Sequence, residues 1–239
     1  MGTLEFYRLE LIPALNRGLI LSVQIIVPSA LLGILIGVLA GAGRASGRKW
    51  LSRLLDFYVG VFRGTPLVVQ LMMWFYGLPS VSLFLEAHFG PEIRPFSDLF
   101  RLSPYVASVT AFAMCSGAYQ SEYIRGAILS IKKGQYLAAQ ALGFSKSAAF
   151  WHITAPMAFR RALPGCGNEI VYLIKYSSLA LIVTITELTG EASSVASLYF
   201  RHFECYLLTA LYYLALVTIA TWLLGLAEKR LALPEEGGR

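Results

Sequence analysis

Charge is scarce in this sequence. Only 14% of its 239 residues are Asp, Glu, Lys or Arg, whereas 56% are hydrophobic. A soluble domain carries about 25% charged residues, so this chain has more apolar surface than one globular core can hide. We therefore expect some of that surface to face lipid, in a single compact unit covering residues 1–239 with no separate ATPase or ligand-binding domain.

Cysteine and histidine are also sparse. Cys115, Cys166 and Cys205 form an odd set whose spacings match no metal-ligand pattern, and we interpret them as packing residues. His88, His152 and His202 are scattered and have no partner at ligand spacing. The chain therefore lacks the nucleophile or metal set that a membrane enzyme needs. We expect no catalytic residue, no metal site and no cofactor bound by this chain.

The N-terminus also lacks the purely basic segment with which a signal peptide begins, because Glu5, Arg8 and Glu10 precede the first apolar run. That run is longer than the roughly 7–15 apolar residues of a signal peptide, so we expect it to be retained. No internal repeat is visible. Repeated halves are common in ion-coupled secondary transporters, so their absence argues against that class, which remains the alternative to an ATP-driven transporter.

Long apolar segments are what the sequence does contain. A helix needs about 20 mostly apolar residues to cross the hydrocarbon core. The first, third and fifth of the segments found are free of charge over most of their length, whereas charges interrupt the second and fourth. The predicted fold is all-α and integral to the membrane, with five transmembrane helices at residues 18–43, 54–79, 102–128, 162–186 and 205–227. Residues 77–102 are expected to form an outer loop with a short surface helix.

Basic residues are distributed unequally between the two sets of connections. The loops on one side, together with the C-terminus, hold thirteen basic residues, and the opposite side holds five. The basic side faces the cytoplasm in membrane proteins, which places the N-terminus outside and the C-terminus inside, and argues against nucleic acid as the meaning of the +6 net charge. The thirteen are Arg44, Arg48, Lys49, Arg53, Arg125, Lys132, Lys133, Lys146, Arg160, Arg161, Lys229, Arg230 and Arg239.

Four charges, Arg63, Glu122, Glu169 and Lys175, fall within the predicted spans. Each costs at least about 2.5–3.5 kcal/mol on insertion scales. They sum to zero, so they either form structural ion pairs, such as Arg63 with Glu122 or Glu169, or line a polar path for a charged solute. The residues predicted for one role or the other are Arg63, Thr65, Gln70, Tyr119, Glu122, Asn168, Glu169, Lys175 and Ser178.

Pro66 follows Gly64 and Thr65 inside the second span. Proline interrupts the helical hydrogen bonds at this point. Broken backbone at membrane depth is tolerated only where protein buries it or where it faces a water-filled cavity. This favours a translocation path over a simple membrane anchor.

The cytoplasmic connection of residues 129–161 predicts two helices. The first ends at Gly143, and the second begins after Ser145 as N-cap and stops before Pro156. Alanines make the first helix slim enough to dock in a groove of another protein. The alternative, which the residues leave equally open, is a surface helix pair packed on the chain's own lipid-facing end.

Several ordered motifs resemble those of one family. Ala138-Ala139, three residues, Gly143, nine residues and Ile153-x-x-Pro156 resemble the cytoplasmic signature loop of ATP-binding-cassette (ABC) importer permeases. The segment from Phe62 to Leu67 with Gln70 is similar to the second-span motif of polar amino-acid permeases. So are Ser116–Tyr119 with Glu122, Gly167–Glu169, and Ser178-Leu179. Departures from the family pattern are Leu137 in place of Glu, Ala155 in place of Leu, Gly60 in place of an acidic residue and Tyr176 in place of Asp.

The resemblance implies a mechanism and a set of partners. A separate ATPase, present in two copies and binding ATP and Mg²⁺, grips the first cytoplasmic helix. A substrate-binding protein delivers a polar amino acid to the outer surface, and a second permease chain, identical or paralogous, completes the path in the bacterial plasma (inner) membrane. Lys132, Lys133 and Lys146 either support ATPase docking or form a solvated basic face. The residues implied in coupling to the ATPase are Leu137, Ala138, Ala139, Ala141, Leu142 and Gly143.

Overall fold

The structure is a computed structural model, and it describes residues 2–131 and 133–231. Helices joined by short turns make up the described chain. A π-helical turn lies within the first helix, and the segment between Phe89 and Pro104 adds two 3₁₀ turns. The helices are α1 Thr3–Ala45, α2 Lys49–Gly64, α3 Leu67–Phe89, α4 Arg94–Ser97, α5 Pro104–Leu129, α6 Lys133–Ala141, α7 Lys146–Val183, α8 Leu188–Tyr199 and α9 His202–Leu231.

Four of these helices, α1, α3, α7 and α9, are long and apolar enough to cross a membrane. Helix α5, predicted as the third span, forms over 26 residues. At about 1.5 Å per residue it is roughly 39 Å long, against a hydrocarbon core of about 30 Å. It packs against α1, α2 and α7 and buries Phe112 and Ala118, so it is the central helix of the bundle.

Glycines allow α1 and α5 to approach closely. Gly33, Gly37 and Gly41 repeat every four residues on α1 and face α5. A Cβ added to Gly37 would lie 2.6 Å from the Cβ of Gln120, and one added to Gly117 would lie 2.7 Å from Ile36. Small residues at this spacing let the backbones of membrane helices pack together, and this seam fixes α1 against the central helix α5.

The predicted break in the second span is confirmed. Thr65 adopts an extended conformation (φ −114°, ψ 146°), Pro66 follows, and a new helix begins at Leu67. The Gln70 amide closes the gap, because its Nε2 donates to the carbonyl oxygens of Phe62 and Thr65 at 2.8 and 3.0 Å and to Thr65 Oγ1 at 2.9 Å. The broken backbone is therefore held by a side chain of the next helix.

Two prolines do not end helices as the sequence predicts. Helix α3 continues through Pro79 to Phe89, and α7 continues through Pro156, so the predicted stop before Pro156 and the outer loop beginning at residue 77 are wrong. A π-helical turn precedes each proline, at Met73–Gly77 and at Phe150–Thr154. These turns shift the hydrogen-bond register and so accommodate a residue that lacks an N–H.

The core consists of three clusters along the bundle. The central one includes Ile25, Leu71 and Phe112, and it contains no charged side chain. A second cluster joins α8 to the start of α1 and to α9. The third lies at the end of the bundle where residues 129–161 connect α5 to α7, and it consists of Ala127, Ala158 and Ala162. The small side chains of this last cluster allow α5 and α7 to pack close together.

Candidate functional site

Gly143 ends helix α6 in a backbone conformation that favours glycine. Its φ is +88°, a region that side chains of L-residues rarely adopt. The Gly143 and Phe144 amides donate to the carbonyls of Gln140 at 3.0 Å and Ala139 at 3.1 Å, the pattern of a helix that stops at a left-handed residue. Ser145 then caps α7 by accepting a 3.2 Å hydrogen bond from the Ala148 amide. Both predicted boundaries of this turn are confirmed.

Helix α6 has one buried side and one uncovered side. Ala139 is 2% exposed and packs on the chain itself, whereas Leu137 is 60% and Leu142 80% exposed. Ala138 and Ala141 are exposed beside them. We call this set, Leu137, Ala138, Ala141 and Leu142, the α6 face. An exposed pair of leucines flanked by alanines is an apolar surface of the kind that marks a contact with another protein.

One arginine side chain joins the two ends of the connection formed by residues 129–161. Arg161 on α7 donates to the Ser130 carbonyl at 2.9 Å and to Ser130 Oγ at 3.0 Å. The contact joins α7 to the end of α5, on either side of α6 in the chain. Of the basic residues predicted near this surface, Lys146 is exposed. Lys132, the side chain of Lys133, and Arg239 lie outside the described part of the chain.

Arg63 pairs with Glu122, and this pair belongs to a larger network. Arg63 Nη1 lies 2.8 Å from Glu122 Oε1, and Arg44 Nη2 lies 3.1 Å from the same oxygen. Arg44 Nε also lies 2.6 Å from Asp56 Oδ1. The four charges sum to zero and join α1, α2 and α5. The Arg44 side chain is 7% exposed, whereas those of Arg63 and Glu122 are 40% and 30% exposed.

Predicted polar residues gather beside this network. The Arg63 guanidinium lies 5.2 Å from the centre of the Tyr119 ring, within the range of a cation–π contact. Thr65 and Gln70 form the clamp at the broken backbone described above. We call Arg63, Thr65, Tyr119 and Glu122 the polar face. Arg63 and Thr65 are exposed, and Tyr119 and Glu122 are half-buried.

The remaining predicted residues lie on α7 and stay apart from the ion pairs. Glu169 is 3% exposed, and its Oε1 has no hydrogen-bond partner among the described residues. Lys175 is exposed, with its Nζ 4.2 Å from the centre of the Tyr172 ring. Ser178 donates to the Lys175 carbonyl at 2.9 Å, and Asn168 is exposed. Of the two alternative partners of Arg63, the structure pairs it with Glu122 and not with Glu169.

Sequence reasoning missed the roles of Arg44 and Asp56. Arg44 lies in the last turn of α1, where a basic residue is already explained by its position at a helix end. Asp56 follows Ser52 by one helical turn, and Ser52 donates to it at 3.1 Å. No local spacing shows that Arg44 meets both Asp56 and Glu122, because the three residues lie on three separate helices.

Glu187 was missed too, although its position carries a local signal. Its carboxylate caps α8 by accepting from the amides of Thr189 and Gly190 at 3.0 and 3.1 Å. Tyr213 donates to it at 2.8 Å and Ser22 at 3.4 Å. An acidic residue directly before a helix is a common N-cap. Glu187 is fully buried and joins α8 to α1 and α9, so it is a structural residue.

The sequence matches one family over most of its length. Residues 33–233 match the family of binding-protein-dependent transport system inner membrane components. The chain is 33% identical over 222 residues to the glutamine transport system permease protein GlnP of Escherichia coli (strain K12), covering 93% of this chain and 94% of that protein. It is 35% identical over 215 residues to the octopine transport system permease protein OccM of Rhizobium radiobacter, covering 90% and 84%.

Solved structures agree with these sequence relatives. A crystal structure described as an amino acid ABC transporter with histidines superposes with a TM-score of 0.80 at 28% identity, over 96% of this chain and 99% of that one. The MetNI methionine ABC transporter superposes with a TM-score of 0.70 at 15% identity, over 98% and 100%, which bears on the fold alone.

Proposed function

The chain belongs to the family of binding-protein-dependent transport system inner membrane components, and from that premise we propose that it is the permease subunit of an importer that moves a polar amino acid by alternating access. Its relatives include permease proteins of glutamine and octopine transport systems. A permease of this kind spans the membrane and leaves ATP hydrolysis to a partner, so it needs no catalytic residue and no cofactor of its own.

The observation that carries the proposal is the uncovered α6 face. Leu142 is 80% exposed directly before a turn that only glycine adopts easily. A cleft in an ATPase subunit would bury this apolar surface and gain the corresponding free energy, about 25 cal/mol for each Å² removed from water. The Leu137 side chain in the position of the usual family glutamate makes this contact apolar rather than ionic.

The path is assigned to the polar face, supplemented by Glu169 and Lys175 on α7. Arg63 and Glu122 are partly exposed on a single chain, and charged side chains are not stable against lipid. A second permease chain, identical or paralogous, would cover this face and enclose the route. The assembly would then hold two permeases, two ATPase subunits that bind ATP and Mg²⁺, and a substrate-binding protein on the outer side.

The proposed topology has five spans formed by α1, the broken pair α2–α3, α5, α7 and α9 in one domain of the inner membrane. The excess of basic residues would place α6 and the C-terminus in the cytoplasm and the N-terminus outside. When ATP brings the two ATPase subunits together, each would move its α6. The Arg161–Ser130 contact, 2.9 Å long, passes that movement to α5 and α7.

Uptake into proteoliposomes separates this proposal from an ion-coupled secondary transporter. The permease is reconstituted with its ATPase and binding-protein partners, and labelled amino acid is supplied on the side of the binding protein. We expect accumulation that requires ATP on the α6 side and that persists when proton and sodium gradients are collapsed. Uptake driven by an ion gradient without ATP would overturn the proposal.

A further inference from the structure

An apolar groove of about 280 Å³ lies at the end of the bundle that carries α6. Its walls come from α1, α5, the first half of α7, and α9. On α1 the lining residues Ile34, Val38 and Ala42 repeat every four positions and so form one stripe along the helix. Each residue that lines the groove is apolar, and none of the charged residues of the polar face belongs to it.

The groove is open at the side, and one of its walls forms where α9 meets α7. Leu224 of α9 lies so close to α7 that a Cβ on Gly167 would lie 3.1 Å from Leu224 Cδ2. At the opening, Val38 is 45%, Phe159 58% and Trp151 67% exposed. The opening lies on the outer surface of candidate membrane spans, where the molecules at hand are hydrocarbon chains. An apolar cavity does not hold water well.

Basic side chains lie close in sequence to the lining residues at the end of the groove nearest α6. Arg160 is exposed and follows Phe159, a lining residue, in the chain. Lys229 and Arg230 are exposed in the last turn of α9, less than two turns beyond Leu224. Lys146 lies one turn before Phe150, and Glu228 is the acidic residue in the same part of α9. The excess of positive charge matches an anionic lipid headgroup.

We infer that this groove holds an acyl chain of an anionic phospholipid from the leaflet on the α6 side, with its headgroup near Arg160. The apolar walls favour binding of the hydrocarbon chain, and the basic side chains nearby favour an anionic headgroup over a neutral one. Trp151 lies at the groove with an apolar ring and one N–H, the combination that membrane proteins place at the level of the headgroups. Because the groove joins α1 to the π-helical turn at the start of α7, the lipid packs directly against the connection that includes α6.

Native mass spectrometry of the assembled transporter tests this inference. The complex with its ATPase subunits is equilibrated with phosphatidylglycerol or phosphatidylcholine of identical acyl chains, and the lipid retained per complex is counted. Val38→Trp fills the groove, and Leu39→Trp adds the same ring on the neighbouring residue, which is 64% exposed and does not line it. Arg160→Gln removes a rim charge, and Arg48→Gln removes an exposed charge at the start of α2.

We expect the parent complex to retain phosphatidylglycerol in preference to phosphatidylcholine. Val38→Trp should abolish that retention and Leu39→Trp should leave it unchanged. Arg160→Gln should lower the preference by about fivefold, the effect of one basic side chain at an anionic surface, and Arg48→Gln should not. Equal retention of the two lipids, equal effects of the two tryptophans, or a groove that retains no lipid because a second permease chain fills it would each overturn the inference.

Discussion

Arg44 is the residue on which the charge network between α1, α2 and α5 depends. It binds Asp56 at 2.6 Å and Glu122 at 3.1 Å, so its removal leaves two carboxylates that only Arg63 and Ser52 still contact. Removing one partner of a fully buried pair costs about 3–5 kcal/mol. We expect a smaller loss for Arg44→Ala, about 2 kcal/mol, because Asp56 is 49% exposed and solvent screens it.

Thermal unfolding of the purified permease in one detergent measures this loss. Arg48→Ala is the control, since Arg48 is exposed and precedes α2 without joining the network. An unfolding temperature that falls equally in both variants, or in neither, would show that the network does not hold α1, α2 and α5 together.

Two buried glutamates differ in their hydrogen bonds. This difference predicts a structural role for one and a role in transport for the other. The Glu187 carboxylate accepts four hydrogen bonds, whereas Glu169 Oε1 has no partner among the described residues. Glu187→Ala should lower the unfolding temperature, because it leaves the amides of Thr189 and Gly190 without their cap and removes one of the two hydrogen-bond partners of the Tyr213 hydroxyl.

Glu169→Gln should instead reduce uptake of the amino acid while leaving the unfolding temperature and ATPase binding near the parent values. Quantitative uptake into proteoliposomes and a melting curve on the same preparation make the comparison. If Glu169→Gln transports normally, Glu169 does not line the path. If it unfolds as readily as Glu187→Ala, its role is structural.

The sequence shows which charged residues lie within the predicted spans, but it does not decide which of them form pairs. Arg63, Glu122, Glu169 and Lys175 stand out in the sequence because charge is rare in apolar spans. The structure pairs Arg63 with Glu122 at 2.8 Å and leaves Glu169 apart. Which carboxylate meets Arg63 depends on how α2, α5 and α7 rotate about their axes, and this rotation is set by packing across the bundle.

Among the helices, the seam between α1 and α5 depends most on small residues. Gly37→Ala should destabilise the permease by about 1–3 kcal/mol, the usual cost of overpacking, because its new Cβ would lie 2.6 Å from the Cβ of Gln120. Gly60→Ala is the matched control, since a Cβ on Gly60 meets nothing within 4 Å. In a helix interior it should stabilise the protein by about 0.5–1 kcal/mol.

Opposite shifts of the unfolding temperature in these two variants would confirm the seam. The same shift in both would mean that α1 and α5 are not held by the close approach at Gly37.

The turn at Gly143, after α6, allows a separate test of coupling to the ATPase. Its φ of +88° favours glycine, yet a Cβ there meets no atom within 4 Å. The effect of Gly143→Asp is therefore conformational and electrostatic rather than steric. We expect it to abolish ATP-driven uptake without removing the chain from the membrane, while Gly143→Asn, which adopts left-handed backbone as aspartate does but adds no charge, keeps part of the activity.

Gly134→Asp controls for added charge, because a Cβ on Gly134 also meets nothing within 4 Å and its helical backbone accepts any residue. Uptake is measured with the amount of inserted permease held constant. Full activity of Gly143→Asp would contradict a coupling role for this turn.

The sequence predicted helices better than it predicted their ends. Gly143 and Ser145 were located correctly because their signals are local, a left-handed stop and a side-chain cap. The helices through Pro79 and Pro156 were not, because a π-helical turn before each proline has no signature in apolar sequence. Where tertiary packing sets the helical register, local rules fail.

At the scale of the whole molecule, the single chain leaves two unlike surfaces uncovered. Helix α9 exposes Leu207, Leu211, Leu214 and Trp222, which suit lipid or another apolar helix. The polar face suits neither lipid nor an apolar helix. Composition predicted a membrane protein because apolar residues exceed what one core can bury, whereas the position of the polar face depends on contacts between helices distant in sequence.

The central claim is that α6 is the cytoplasmic contact with an ATPase. A photo-crosslinking amino acid at Leu142, which is 80% exposed, tests it most directly in intact cells. Leu129 is the control, being 58% exposed at the end of α5. The account predicts a crosslink from position 142 to the ATPase subunit and none from position 129. A probe at position 142 that fails to capture that subunit, or a Leu142→Cys variant that a membrane-impermeant thiol reagent labels from outside the cell, would contradict it.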